Sequence, residues 1–228
     1  MAELTNSCQV HDVSFSTIAE AYLEALLDAD RLKAHQIITV ALQGGLTIRD
    51  LYLRVFQPVQ HEVGRLWLVN KVSVVEEHFC TAATQTIMSE LYPQIISSRR
   101  LGRTMVATCV GSELHEIGIR MVADFFEMEG WDTYYIGADI AHEQILKALE
   151  QRKPDLLALS VTMTYHVAKV QELISSIRNT FSVSTPYIMV GGLPFNMYPD
   201  LWRTTGADVW AADAEKAVLA AQQLTYTS

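Results

Sequence analysis

The chain has 228 residues, half of them hydrophobic and 19% charged, which excludes a disordered chain and leaves room for one large domain or two modest ones. A formal net charge of -9, from 17 basic and 26 acidic residues, argues against a free-standing nucleic-acid binder. The one small basic cluster, Arg99, Arg100 and Arg103, reads as a solvated linker.

The first half reads as helices. Ser16 to Ala29 places Ile18, Ala21, Leu23, Leu26 and Leu27 at helical spacing, and Asp30 to Leu42 forms a second helix stopped by Gly44-Gly45. A third spans Thr47 to Val69, with Pro58 expected to kink it or end its first part. A fourth spans Ser73 to Ile96, opened by a capping box of Ser73 and Glu76. Beyond Arg99 short apolar runs alternate with helical stretches. The runs are Thr104–Val110, Thr133–Ile136, Leu156–Val161, Tyr187–Val190 and Val209–Ala211. The helices between them are Ile117–Glu129, Ala141–Gln151, Ala168–Phe181 and Met197–Thr204, with a last one from Ala214. The expected fold is α/β: a four-helix bundle cap over residues 1–98, then a flavodoxin-like, doubly wound, five-stranded parallel sheet over 99–228.

The three cysteines, Cys8, Cys80 and Cys109, form no CxxC pair and read as buried or idle thiols of a reducing compartment. The N-terminus lacks a signal-peptide pattern and no run is long and apolar enough to span a bilayer, so a cytoplasmic protein is expected.

In an open parallel sheet, ligands bind beyond the carboxyl ends of the strands. There the first loop reads Gly111-Ser112-Glu113-Leu114-His115-Glu116-Ile117-Gly118. Glu113 can hold one ring nitrogen of His115 and leave the other for a metal, while Gly118 admits a bulky group close to the helix backbone. Alone, the segment is equally a loop histidine beside a helix-capping glutamate. Ser160 and Thr162 after the third strand offer hydroxyls, and Gly191-Gly192 after the fourth offers close backbone approach.

Together, Glu113-x-His115-x-x-Gly118, Ser160-x-Thr162 and Gly191-Gly192 resemble the base-off/His-on cobalamin-binding fold. Methionine synthase, methylmalonyl-CoA mutase and corrinoid methyl carriers share it. The family motif usually begins with Asp, and here it begins with Glu. The resemblance implies that His115 is the lower ligand to cobalt. It also implies that Ser160, Thr162, Gly191 and Gly192 line a slot for the displaced nucleotide tail.

The cap carries a second resemblance. Trp67, then Glu77-His78 after nine intervening residues, is similar to the cap of light-sensing, adenosylcobalamin-dependent repressors of carotenoid genes. That likeness implies that Trp67 stacks on the adenosyl group and Glu77 accepts its hydroxyl protons. The bland alternative is a bundle tryptophan and a surface charge. No DNA-binding segment precedes the cap, so direct DNA binding is not expected. Where those repressors have a second cobalt-capturing histidine, this chain has Leu68. The organisation also resembles photocobilins, which add a bilin as a second chromophore, with His166 as a candidate contact.

The expectation is therefore a non-enzymatic photoreceptor or signalling protein that holds adenosylcobalamin between cap and α/β domain. Its partner would be a second copy or a downstream protein. The alternative is a corrinoid methyl carrier of a methyltransferase system. A receiver or flavin-binding module is disfavoured, because the first strand has no acidic cluster and no phosphate-binding glycine loop follows it.

Overall fold

The computed structural model describes residues 3–97 and 99–225, with side chains from Phe15 to Gln222 except those of Val183 and Ser98; Cys8 lies outside the described side chains. The chain divides into two compact units, one ending at Gln94 and the other beginning at Ile95.

The first unit is helical: α1 (Glu3–Leu27), α2 (Arg31–Gln43), α3 (Ile48–Asp50), α4 (Gln57–Leu68) and α5 (Val74–Ile95). Its core is filled by Tyr22, Leu26, Ile38, Leu51, Tyr52, Phe56, Val63 and Met88, each at most 1% exposed. Polar atoms inside it are paired: Thr84 Oγ1 lies 2.9 Å from the Tyr22 hydroxyl and accepts from Gln60 Nε2 at 2.8 Å. The Ser73 capping box is present, with the Ser73 N–H donating to Glu76 Oε2 at 2.7 Å and the Glu76 N–H donating to Ser73 Oγ at 3.3 Å. Pro58 neither ends nor simply kinks its helix. Between α3 and α4 the chain runs as a π-helical turn, Leu51–Phe56, and Pro58 falls in the first turn of α4. Proline has no N–H for the carbonyl four residues back, and the wider turn passes the Gln57 N–H to Tyr52 O instead.

The second unit is the doubly wound sheet: β1 (Thr104–Cys109), α6 (Ile117–Met128), β2 (Asp132–Gly137), α7 (His142–Arg152), β3 (Leu156–Ser160), α8 (Val167–Phe181), β4 (Tyr187–Gly191), α9 (Leu193–Met197), β5 (Val209–Ala211) and α10 (Ala214–Thr225). All strands are parallel, in the order β2-β1-β3-β4-β5. β3 is buried along its whole length and β1 from its second residue, which is why both read as unbroken apolar runs. Val106, Leu157, Leu159, Ile188 and Val190 share one core with Ile145 and Leu149 of α7 and Val170, Leu173, Ile174 and Ile177 of α8.

The sequence reading starts the first helix at Ser16 where α1 begins at Glu3, and it misplaces a later one. In place of Met197–Thr204, α9 begins directly after Gly192 and ends at Met197, and a 3-10 turn covers Leu201–Thr205. Pro194 suits the first turn of α9, and Tyr198 leaves the helical region before Pro199. The basic cluster is also not a solvated linker throughout. Arg100 donates to Glu127 Oε2 at 2.8 Å and to the Trp131 carbonyl at 2.9 Å, and Arg103 donates to Asp155 Oδ1 at 2.8 Å. Among the described residues no helix is long and apolar enough to cross a membrane.

Candidate functional site

The strand order reverses direction between β1 and β3, and a crevice opens at such a switch point beyond the carboxyl ends. Cys109 of β1, Ser160 of β3, Gly191 of β4 and Ala211 of β5 lie side by side in register at that edge. The loop leaving β1 carries Glu113 across this switch.

Glu113 is 1% exposed and does not cap α6, whose N-cap residue is Glu116. Its carboxylate lies instead between two strand ends. Oε2 accepts the Thr162 N–H at 2.9 Å and the Met163 N–H at 3.1 Å, both from the loop after β3. Oε1 pairs with His115 Nδ1 and accepts the His115 N–H at 3.3 Å. The Glu113 carbonyl accepts the Asp139 N–H beyond β2 at 3.2 Å. Burial opposes the charge on Glu113, but the bonds from His115, Thr162 and Met163 outweigh it and hold the carboxyl down at about 2. The carboxylate is therefore ionised at neutral pH and can only accept.

That fixes what His115 does. Its Nδ1 faces an acceptor and carries the proton, so Nε2 is the basic nitrogen of the ring. The His115 side chain is 37% exposed, whereas the carboxylate that orients it is buried. A buried carboxylate turning a partly exposed imidazole outward is the arrangement of an oriented metal ligand. Among the described residues no group of three or more His, Cys, Asp or Glu side chains is placed to hold a metal ion. A metal at His115 would have to bring most of its ligands with it, as the cobalt of a corrin ring does.

The remaining predicted residues surround the same edge. Gly118, in the first turn of α6, is exposed, and an added Cβ there would meet nothing within 4 Å. Ser160 ends β3 at 9% exposure, and Thr162 is half-buried in the following loop. No hydrogen bond within the protein engages either hydroxyl among the described residues. Gly192 has φ +109, and a Cβ on it would lie 1.9 Å from the Val161 carbonyl oxygen, so only glycine lets these two loops approach so closely. A Cβ on Gly191 would sit 3.1 Å from the Ala211 carbonyl. Open space at Gly118, close backbone approach at Gly192, the hydroxyls of Ser160 and Thr162 and a partly exposed imidazole together fit a flat macrocycle with a polar tail.

Sequence reasoning missed the backbone N–H groups of Thr162 and Met163, and it named His166 without its contact to Glu113. His166 is 4% exposed and turns its Nδ1 toward Glu113 Oε2 at 3.3 Å. A backbone N–H leaves no mark in a sequence; the histidine four residues after Thr162 was the available signal.

In the helical unit Trp67 lies half-buried in the last turn of α4 and Glu77 half-buried in the first turn of α5. Glu77 pairs with His78 Nδ1 and accepts from Thr81 Oγ1 at 3.0 Å, and the His78 side chain is 66% exposed. The two thiols described are fully buried, and burial pushes Cys80 up to about 11 and raises Cys109 further, which suits packing rather than nucleophilic chemistry.

Comparison with known proteins bears on both units. Residues 103–221, more than half of the chain, match the family profile of the B12 binding domain, and residues 18–92 match a second profile of the same description. The trimethylamine corrinoid protein of Methanosarcina barkeri is 24% identical over 201 residues, covering 86% of this chain and 90% of the relative. Dimethylamine corrinoid protein 3 of Methanosarcina mazei is 24% identical over 167 residues, covering 73% and 96%. Among solved structures, the monomethylamine corrinoid protein of Methanosarcina barkeri superposes with a TM-score of 0.80 at 19% identity, covering 92% of this chain and 99% of that one.

Proposed function

This chain belongs to the B12-binding domain family, and from that premise we propose that it is a corrinoid carrier that presents a methyl group to separate methyltransferase proteins. The observation that carries the reading is the Glu113–His115 pair, a buried ionised carboxylate holding one nitrogen of an imidazole at the switch point of the sheet. A cobalamin bound there supplies a cobalt atom that takes up and gives off a methyl group, a chemistry that belongs to the cofactor. The protein's part is to hold the ring and fix the lower ligand. His115 offers Nε2, and Glu113 keeps the proton on Nδ1. Ser160, Thr162, Gly191 and Gly192 receive the nucleotide tail. Catalysis is assigned to partner proteins. Support comes from the names of the relatives, trimethylamine and dimethylamine corrinoid proteins, which align with this chain across both units.

The test is to load the protein with methylcobalamin and mix it with a thiol-specific corrinoid methyltransferase and thiol. Consumption of the methyl group faster than from free methylcobalamin at equal concentration is expected. A rate no faster than that of the free cofactor would remove the carrier reading.

A second reading, a light-responsive protein carrying adenosylcobalamin, is supported by one feature, the placement of Trp67 in the last turn of α4 and Glu77 in the first turn of α5. It predicts tighter binding of adenosylcobalamin than of methylcobalamin and loss of that preference in Trp67→Ala. Equal affinity for the two in the native chain would remove it.

A further inference from the structure

The two edges of the sheet, β2 and β5, are not alike. β5 is short, Val209–Ala211, and shortness protects an edge from pairing with another chain. β2 spans six residues, with Thr133, Tyr134, Tyr135 and Ile136 at its centre, all of types that favour strands. It holds neither proline nor lysine to blunt it. Its pairing with β1 slips only near the carboxyl end, where Tyr135 lies opposite Ala107 and Gly137 opposite Thr108, so residues 132–135 form a regular edge. Among the described residues no strand pairs with its outer side.

Beside that edge, between β2 and α7, runs a groove of about 470 Å³ lined by Tyr134, Ile136, Ile140 and Ala148 and by the amide side chains of Gln144 and Gln151. Tyr134 is 42% exposed, and Arg152 covers its ring at 4.1 Å from the centroid. The charges along this face are ordered. Because α7 runs back along β2, its first turn stands with Asp139 at the carboxyl end and its last turn at the amino end. Asp139 and Glu143 make the first end acidic, while Arg152 and Lys153 outnumber Asp132 and make the other basic. At the midpoint of α7, Lys147 is flanked one turn away by Glu143 and by Glu150. All three are exposed, and none has an ion pair among the described residues.

A surface acidic at one end and basic at the other is complementary to itself turned end for end, which is the operation of a two-fold axis. We infer that β2 and α7 form a homodimer surface. Two copies set their β2 strands antiparallel, edge to edge, so that the sheets join into one, and lay their α7 helices side by side in opposite directions. The acidic end of each copy then faces the basic end of the other. Lys147, nearest the axis, meets the partner's Glu150, and the same contact recurs by symmetry. An unrelated partner would need the reverse order of charge in its own sequence, whereas a second copy supplies it by rotation.

The test follows the full native chain by sedimentation velocity over a dilution series, with amide hydrogen exchange at the same concentrations. A monomer–dimer equilibrium is expected, with exchange along β2 slowing as the dimer forms. Lys147→Glu and Glu150→Lys each set like charges together across the axis and should each weaken self-association about ten-fold or more. An equimolar mixture of the two variants restores opposite charges at both contacts and should form a heterodimer. Both positions are exposed and carry no ion pair, so both variants should fold as the native chain does. A native chain that stays monomeric at its highest soluble concentration would overturn the inference. So would a dimer indifferent to both substitutions, or one whose β2 amides exchange as fast as in the monomer.

Discussion

Two carboxylates tie β1 to β3 at opposite ends of the same sheet, and they are held in different company. At the amino end Asp155 accepts the Thr104 N–H at 2.7 Å, the Thr104 hydroxyl at 3.3 Å and Arg103 Nη1 at 2.8 Å. Its charge is answered by a fixed cation of the same domain. At the carboxyl end Glu113 is more deeply buried and is met by backbone N–H groups and two imidazoles, and no Lys or Arg among the described residues bonds its carboxylate. Asp155 fastens strands. Glu113 fastens loops and also directs a partly exposed histidine outward. The difference separates a structural ion pair from a site: the second holds a basic nitrogen in place for something outside the fold.

The comparison can be broken at several points. Gly192→Ala should have the largest effect, since its Cβ would overlap the Val161 carbonyl at 1.9 Å in a backbone conformation that L side chains avoid. A loss of about 4 kcal/mol or more in denaturant unfolding is expected. A loss under about 1 kcal/mol would show that the loops need not approach so closely. Glu113→Ala comes next, at about 3 kcal/mol, because it strands buried N–H donors. It should also release His115 from its tautomer, lowering cobalamin affinity. Asp155→Ala should cost only about 1 kcal/mol, reduced by the partial exposure of its ion pair, and leave cobalamin affinity unchanged. Equal loss of affinity in both variants would erase the distinction between the two ends.

Acid should sharpen it. Burial opposes the charge on both groups, yet the N–H donors and, for Asp155, Arg103 hold both carboxyls below their ordinary range. Their stabilising contribution is complete above the unfolded value, about 4, and is lost as pH falls through the folded value. For Glu113 that loss continues down to about 2. Unfolding free energy measured from pH 5 downward should fall less steeply in Asp155→Asn than in the native chain, and parallel curves would contradict the assignment. The smallest effect belongs to Ser160→Ala. Stability should stay within about 0.5 kcal/mol, while cobalamin affinity drops a few-fold by titration.

Much of the fold was legible because its signals are local. The five apolar runs became strands within a residue of their expected ends, and in β1, β3 and the middle of β4 burial demands continuous hydrophobicity. Ser73 and Glu76 announced α5 through a bond pattern that spans one turn. What stayed hidden depends on long-range contact or on backbone. The π-helical turn before Pro58 is a choice among ways to absorb one missing donor. The donors from Thr162 and Met163 are peptide groups that any residue would supply. His166 met Glu113, 53 residues away along the chain, only when β3 lay beside β1. The motif identified His115 and Glu113, but not the shell that holds them. At Trp67 and Glu77 the limit was of another kind: Glu77 bonds to its own helix neighbours, Thr81 and His78. Its local setting therefore does not distinguish a nucleoside contact from ordinary helix chemistry.

The measurement that tests the account most directly is the electron paramagnetic resonance spectrum of the protein loaded with cob(II)alamin, taken with natural-abundance and with 15N-labelled histidine. If His115 is the lower ligand, the nitrogen splitting changes from a triplet to a doublet on labelling and disappears in His115→Ala. A splitting unaffected by the label would assign the nitrogen to the cofactor's own base and contradict the central claim.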